Sequence, residues 1–236
     1  TFAGITLTGQ SKYREKFGPL LPEVRHVPFG DLAAMREAVG PATCAVLVEP
    51  VQGEGGVVPA PAGYLAGLRA LCDERGALLL FDEVQTGIGR CGRMLAAQHF
   101  GVRADAVALA KGIAAGFPMG AMLCTEKVAR GFEPGAHAST FGGNPLACAV
   151  ALTVQKVFAE QELLAHVRKM GEVLGARLAD LTKRFAVVKG ERGLGLLRGL
   201  ILDPAIEAAR IVAAAAAHGV LVSSAGGNVV RFSPPL

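Results

Sequence analysis

The chain contains 236 residues, of which 51% are hydrophobic and 19% charged, and its formal net charge is +4. This composition is typical of a folded chain with a sizeable core and excludes a disordered one. The basic residues form no run that would indicate nucleic acid or a membrane surface as a partner, and no apolar stretch approaches the roughly 20 residues that cross a bilayer.

The pattern along the first 150 residues predicts a mostly parallel sheet covered by helices. Strands are predicted at residues 2–7, 44–48, 77–81, 106–110 and 121–124. The helix predicted before the third of these strands carries Leu65, Leu68, Leu71 and Cys72 on one face and ends at Gly76, a residue typical of helix C-caps. Such alternation of strands and helices favours the α/β class.

The pattern changes after residue 145. One long helix is predicted over residues 146–169, followed by a second helix and by strands near 186–188, 196–202, 220–223 and 229–232. An alanine-rich helix is predicted over residues 204–218, and its apolar segment 211–217 is expected to be buried. We therefore predict two domains, residues 1–150 and residues 151–236.

The cysteines argue for a reducing compartment. They stand at positions 44, 72, 91, 124 and 148, and none forms a Cys-x-x-Cys pair or lies at zinc-ligand spacing from a histidine. We therefore expect neither a disulfide scaffold nor a metal site, and a cytoplasmic location.

Two unlike charges follow successive apolar strands. Asp82 comes after Leu-Leu-Leu-Phe, and Lys111 comes after Val-Ala-Leu-Ala. Both could simply be solvated residues at strand ends, but ligands of open α/β sheets bind beyond the carboxyl ends of the strands. An amine placed there can condense with an aldehyde, and a carboxylate opposite it can hold a protonated pyridine nitrogen. Pyridoxal phosphate requires this pair of groups.

Five segments, in order along the chain, resemble the class III (ornithine-type) pyridoxal-phosphate aminotransferases. They are EPVQGEGG at 49–56, FDEVQTG at 81–87, AKG at 110–112, STFGGNP at 139–145 and VRFSPPL at 230–236. The resemblance implies a fold-type-I transferase, with a three-layer α/β/α large domain and a smaller carboxyl-terminal α/β domain. It also implies a homodimer with shared active sites. Residues 110–123 look most like the acetylornithine branch of the family.

The resemblance assigns roles around the cofactor ring. Lys111 would hold pyridoxal 5'-phosphate and move the substrate proton, and Asp82 would pair with the ring nitrogen. Val84 would pack on one ring face, and Gln85 would reach the phenolic oxygen. Glu83 is also placed among the cofactor contacts.

A second group of roles concerns the phosphate and the substrates. Thr140 would bind the cofactor phosphate across the dimer interface, and Ser139 would lie near the substrate. Arg231 would clamp an α-carboxylate as a two-pronged donor. Glu54 would pair with this arginine, so that one site accepts an ω-amine first and 2-oxoglutarate second. The role of Glu49 stays open between a cofactor-side network and a structural contact.

The expected reaction is transfer of the ω-amino group of N-acetylornithine to 2-oxoglutarate, a step of arginine biosynthesis. The same motifs fit ornithine, succinylornithine, succinyl-diaminopimelate and 4-aminobutyrate enzymes, and a non-catalytic homologue is a further alternative. A dinucleotide-dependent oxidoreductase is less favoured, because the glycines at 193–199 do not have the G-x-G-x-x-G spacing.

The chain departs from the family pattern in several ways. The family's phosphate-cradling loop, its ring-stacking Phe and a substrate-binding Arg would all precede Thr1. Both ends of the chain suggest a fragment that lacks an amino-terminal part and the extreme carboxyl terminus. Cys91 stands where threonine is usual, which we interpret as a tolerated exchange.

Overall fold

A computed structural model describes residues 2–236. They form eight α-helices: α1 (Phe2–Leu7), α2 (Ser11–Arg14), α3 (Leu32–Ala38), α4 (Tyr64–Arg75), α5 (Glu126–Ala129), α6 (Pro145–Glu160), α7 (Leu163–Arg184) and α8 (Ala208–Ala217). Their strands are β1 (Ala45–Val48), β2 (Val51–Gln52), β3 (Val58–Pro59), β4 (Leu78–Asp82), β5 (Ala106–Leu109), β6 (Ala121–Cys124), β7 (Val188–Leu194), β8 (Leu197–Leu202), β9 (Ser223–Ala225) and β10 (Val229–Phe232). Two 3-10 turns occupy Ala96–His99 and Lys111–Ala114.

The first sheet has the strand order β1-β4-β5-β6. β4 pairs in parallel with β1 on one side and with β5 on the other, whereas β6 runs antiparallel to β5 at the edge. The register places Asp82 beside Ala108, so β4 and β5 end at the same edge of the sheet. The predicted mostly parallel sheet of the α/β class is confirmed.

Helix α4 covers this sheet and closes its core. Leu65, Leu68, Leu71 and Cys72 are all buried, as the helical spacing predicts. The helix ends at Gly76, whose φ of 72° lies in the left-handed region that glycine adopts without strain. The predicted inward face of α4 and its glycine C-cap are confirmed.

The second sheet has the strand order β7-β8-β10-β9 and is antiparallel throughout. Helices α7 and α8 pack against it, and its core includes Leu178 of α7, Leu200 of β8 and Val230 of β10. The predicted domain boundary near residue 150 falls inside α6, between the two sheets, and the division into two domains stays a prediction.

Three sequence predictions are wrong in their local structure. Residues 2–7 form helix α1 instead of a strand, because a short apolar run fits either element and periodicity cannot separate them. The long helix predicted over 146–169 is two helices, separated at Gln161 and Glu162, the latter with φ of 50°. Most of α8 is exposed, with only Ala208 buried, so the apolar segment 211–217 is not a core segment.

Within residues 2–236 no helix is both long and apolar enough to span a membrane.

Candidate active site

The shared end of β4 and β5 carries the two charges singled out from the sequence. The Asp82 carboxylate accepts a hydrogen bond from the Val84 amide at 2.9 Å, which fixes its direction at the strand end. Lys111 opens the 3-10 turn that follows β5 and has a φ of 48°, a left-handed conformation that non-glycine residues rarely adopt. Such strain concentrates at functional sites, where the surrounding structure enforces it.

Lys111 lines a cavity of about 240 Å³. Four other residues predicted for the site share this cavity: Glu54, Val84, Gln85 and Arg231. They come from the turn between β2 and β3, from the segment after β4 and from β10. The fold therefore brings together side chains that stand up to 177 positions apart in the chain.

A polar triad connects three of these side chains. Arg231 Nη1 donates to Glu54 Oε1 and, at 3.1 Å, to Gln85 Oε1. Gln85 Nε2 in turn donates to Glu54 Oε1 at 3.2 Å. The hydrogen bond from Arg231 lowers the pKa of Glu54, so this carboxylate is ionised at neutral pH. Ser223 accepts a hydrogen bond from Arg231 Nε at 3.1 Å and orients the guanidinium.

Glu49 lies close to both Asp82 and Lys111. The pKa of Glu49 is raised to about 7, mainly by burial and to a smaller extent by the Asp82 charge, while the Gly53 amide and the Lys111 ammonium act in the opposite direction. The Gly53 amide donates to Glu49 Oε2 at 2.9 Å, so the carboxylate also holds the turn that carries Glu54. The charges of Asp82 and Lys111 are therefore close enough to Glu49 to change its pKa.

The raised pKa of Glu49 predicts a pH-dependent stability. The folded protein retains a proton that the unfolded chain has released above its ordinary pKa of 4.5, so the free energy of unfolding falls as pH rises from about 4.5 to 7. In Glu49→Gln this loss should be absent, and the variant should gain on the order of 2 kcal/mol over the wild type between pH 5 and pH 8. Urea unfolding of the cofactor-free protein at the two pH values measures this difference. If the free energies of unfolding of wild type and Glu49→Gln differ by the same amount at both pH values, the raised pKa of Glu49 is contradicted.

Glu83 is buried and does not line the cavity. Its carboxylate accepts hydrogen bonds from the amides of Ala96 and Ala97 at 2.7 and 2.8 Å and from the Thr86 hydroxyl at 2.8 Å. The side chain thus holds the start of the 3-10 turn Ala96–His99. The geometry gives Glu83 a structural role, and its contact with a cofactor stays a prediction.

Ser139 and Thr140 lie away from the cavity, on the exposed segment before α6. The Ser139 hydroxyl accepts a hydrogen bond from the Gly142 amide at 3.1 Å, and neighbouring Phe141 is 81% exposed. Within residues 2–236 these two side chains are therefore not brought to the Lys111 site.

Arg90 was missed by the sequence analysis. Its guanidinium lines the cavity and donates to the carbonyl oxygens of Leu196, at 3.1 Å, and Pro234, at 2.5 Å. Burial lowers the pKa of this side chain. Because both acceptors are backbone atoms, sequence spacing held no signal for these contacts. Cys91, beside it, is buried, and burial raises its pKa to about 12, so its thiol is inert at neutral pH.

A family model described as aminotransferase class-III matches residues 1–236. The chain belongs to the class III aminotransferase family. The predicted fold-type-I architecture is confirmed by this match and by the solved structures of family members.

Curated aminotransferases resemble the chain over its whole length. It is 48% identical to the acetylornithine aminotransferase of Neisseria meningitidis serogroup B, and the match covers 100% of the chain and 60% of that protein. It is also 46% identical to the succinylornithine transaminase of Citrobacter koseri, with coverage of 100% and 59%. The chain thus spans about three-fifths of the length of these relatives.

Solved structures of aminotransferases share the fold. An ornithine aminotransferase from Toxoplasma gondii, whose structure shows partial occupancy of PLP at the active site, matches with a TM-score of 0.91 and 37% identity, over 100% of this chain and 56% of that one. The N-acetylornithine aminotransferase of Stenotrophomonas maltophilia matches with a TM-score of 0.80 and 39% identity, over 89% and 56% of the respective chains.

Proposed function

We propose that the full-length protein, including any residues outside positions 1–236, is a pyridoxal-phosphate-dependent aminotransferase. Its favoured reaction converts N-acetylornithine and 2-oxoglutarate to N-acetylglutamate 5-semialdehyde and glutamate, a step of arginine biosynthesis. The observation that carries this proposal is the cavity that joins the Lys111 amine to the Glu54–Gln85–Arg231 triad. The chain's 45–49% identity to several acetylornithine aminotransferases supports the choice of donor.

Lys111, Val84 and Gln85 line the cavity, and together with Asp82 at the neighbouring end of β4 they fit pyridoxal phosphate. Among residues 2–236 the Lys111 amine makes neither a hydrogen bond nor an ion pair, although it lines the cavity. The charges of Asp82 and Lys111 both influence the pKa of Glu49, in opposite directions, so both groups lie near this carboxylate. When bound, the cofactor supplies an aldehyde for the amine and an electron-withdrawing ring. Asp82 would hold the ring nitrogen, and Val84 and Gln85 would contact the ring.

Each residue then has a defined task in the transfer. The Lys111 amine would take the proton from the carbon that carries the transferred amino group and deliver it to the cofactor's former aldehyde carbon. Asp82 would hold the ring nitrogen in its protonated form by a charge-assisted hydrogen bond.

The triad would let one site serve two unlike substrates. With Glu54 on Arg231, as in the structure, the positive charge is neutralised and an ω-amine donor can enter. With Glu54 displaced, the Arg231 guanidinium would hold a carboxylate of 2-oxoglutarate or glutamate by two parallel hydrogen bonds.

The proposal includes a homodimer. The exposed position of Thr140 and Ser139, away from the cavity of their own subunit, supports a role of these residues at the site of a second subunit. Thr140 would bind the cofactor phosphate there, and Ser139 would lie near the substrate. A cytoplasmic location is part of the same proposal.

Succinylornithine is the second candidate donor, because a succinylornithine transaminase is 46% identical to the chain. It differs from N-acetylornithine in the group attached to the α-nitrogen, while the reacting ω-amine is the same. Ornithine, 4-aminobutyrate and succinyl-diaminopimelate stay as alternative donors.

A half-reaction assay of the full-length protein loaded with pyridoxal phosphate tests the function. Each ω-amine donor is mixed alone with the enzyme, and conversion of the cofactor is followed by absorbance. Glutamate, the amino compound of the other half-reaction, is assayed separately in the same way. We expect the largest kcat/KM for N-acetylornithine. A larger value for succinylornithine would transfer the assignment to that donor, and no conversion with any ω-amine or with glutamate would indicate a non-catalytic homologue.

A further inference from the structure

Glu54 occupies the turn of the hairpin formed by β2 and β3. The base of this hairpin is rigid, because Val51 and Val57 are both fully buried in a core that includes Leu197 of β8. The Glu54 side chain itself is 55% exposed and reaches Arg231 across the cavity mouth. The contacts that hold the backbone of this turn therefore determine whether the Glu54 carboxylate can reach Arg231.

Two contacts from the second sheet hold this turn. The Gly226 amide, in the turn between β9 and β10, donates to the Glu54 carbonyl oxygen at 2.8 Å. From β7, Arg192 donates through Nε and Nη2 to the Gly56 carbonyl oxygen at 3.0 and 2.8 Å. Both acceptors are backbone atoms one residue to either side of Gly55.

The β2–β3 turn and the second sheet are closely packed where they meet at Gly56. A Cβ on Gly56 would collide with the Gly226 carbonyl oxygen and would lie 2.9 Å from Arg192 Nη2, and the φ of Gly56 is 111°. The Arg192 side chain is partly buried, which lowers its pKa, and no acidic side chain within residues 2–236 pairs with it. Arg192 therefore contributes to the fold through its two hydrogen bonds to the Gly56 carbonyl oxygen.

We propose that Arg192 is a positioning residue for the pair formed by Glu54 and Arg231, which we call the substrate gate. It holds the β2–β3 turn against the second sheet, so that the Glu54 carboxylate covers Arg231 while an ω-amine donor is bound. The inference rests on the proposed function, because the gate matters only where two unlike substrates share the site. Without Arg192 the turn moves away, Arg231 is uncovered, and the donor's own carboxylate can bind there in an unproductive orientation.

The test compares Arg192→Met with the wild type in the full-length enzyme. Methionine keeps much of the aliphatic stem and removes every donor. We expect the ratio of the KM for N-acetylornithine to the KM for 2-oxoglutarate to rise by roughly tenfold, the order expected for a lost charge-assisted hydrogen bond. Arg192→Lys, which keeps one donor group, should give an intermediate ratio.

Arg198→Met is the matched control. Arg198 is a partly buried arginine of the same sheet that contacts Glu191, Gly171 and Gly195 but not the turn. We expect its KM ratio to stay within about twofold of wild type, a shift well below one hydrogen bond. If Arg192→Met changes both KM values by the same factor, or if Arg198→Met shifts the ratio equally, the positioning role is wrong.

Amide hydrogen exchange in the absence of substrate gives a second readout. The Gly226 amide and the Val57 amide, which donates to the Gly53 carbonyl at 3.3 Å, should exchange faster in Arg192→Met and at the wild-type rate in Arg198→Met. Unchanged exchange in Arg192→Met would overturn the proposal. Faster exchange in an enzyme that does not use N-acetylornithine would support the hold on the turn while contradicting the proposed function.

Discussion

Replacing Lys111 by alanine in the full-length protein is expected to abolish transamination. Loss of a general base alone costs roughly 10²- to 10⁴-fold in rate, and Lys111 is also the amine that would bond to the cofactor aldehyde. The structure offers no substitute at the same place, because Lys111 is the one lysine that lines the cavity among residues 2–236. The measurements are kcat with N-acetylornithine and the visible absorbance of the bound cofactor, and we expect both to be lost or strongly altered.

Lys127→Ala serves as the control for this variant. Lys127 is an exposed lysine of α5 that does not line the cavity, so its removal should leave rate and absorbance at wild-type values. An unaltered absorbance band in Lys111→Ala, or a rate within tenfold of wild type, would remove Lys111 from its proposed role.

Arg231→Met is expected to produce the second largest effect, on 2-oxoglutarate. Truncation of one partner of a hydrogen-bonded charge pair costs about 2–5 kcal/mol, or roughly 30- to 4,000-fold in affinity. The guanidinium is well placed for such a contact, because only 15% of the side chain is exposed and Ser223 and Gln85 fix its orientation. The KM for 2-oxoglutarate should rise in this range, whereas that for N-acetylornithine should change less, since Glu54 covers Arg231 while the donor is bound.

Arg210→Met gives the comparison for the loss of one positive charge. Arg210 is exposed on α8, so its replacement should alter neither KM. An unchanged KM for 2-oxoglutarate in Arg231→Met would contradict the assignment of this arginine to the keto acid.

Three strands of the first sheet could be predicted because their apolar residues are contiguous in the sequence. β1, β4 and β5 are short apolar runs bounded by charged or turn residues. The same logic placed Asp82 at a strand end, but it held no signal for the buried contacts of Glu83. Successive side chains of an extended segment alternate in direction, and the buried carboxylate of Glu83 bonds to the 3-10 turn instead of facing the cavity.

The polar triad could not be derived from spacing. Glu54, Gln85 and Arg231 come from three separate segments, and only the family resemblance placed Glu54 beside Arg231 in advance. The arginines at 90 and 192 left no signal because their acceptors are carbonyl oxygens, which every residue possesses. The position of α1 and the break before α7 depend on contacts and backbone angles that apolar periodicity does not encode.

Borohydride reduction of the cofactor-loaded, full-length protein identifies the amine to which pyridoxal phosphate is attached. Reduction fixes the cofactor permanently to the amine that carries it, and peptide mass spectrometry then identifies the modified residue. We expect a single modified peptide, the one that contains Lys111. A modification confined to any other lysine, or none in a protein that has bound pyridoxal phosphate, would contradict this expectation.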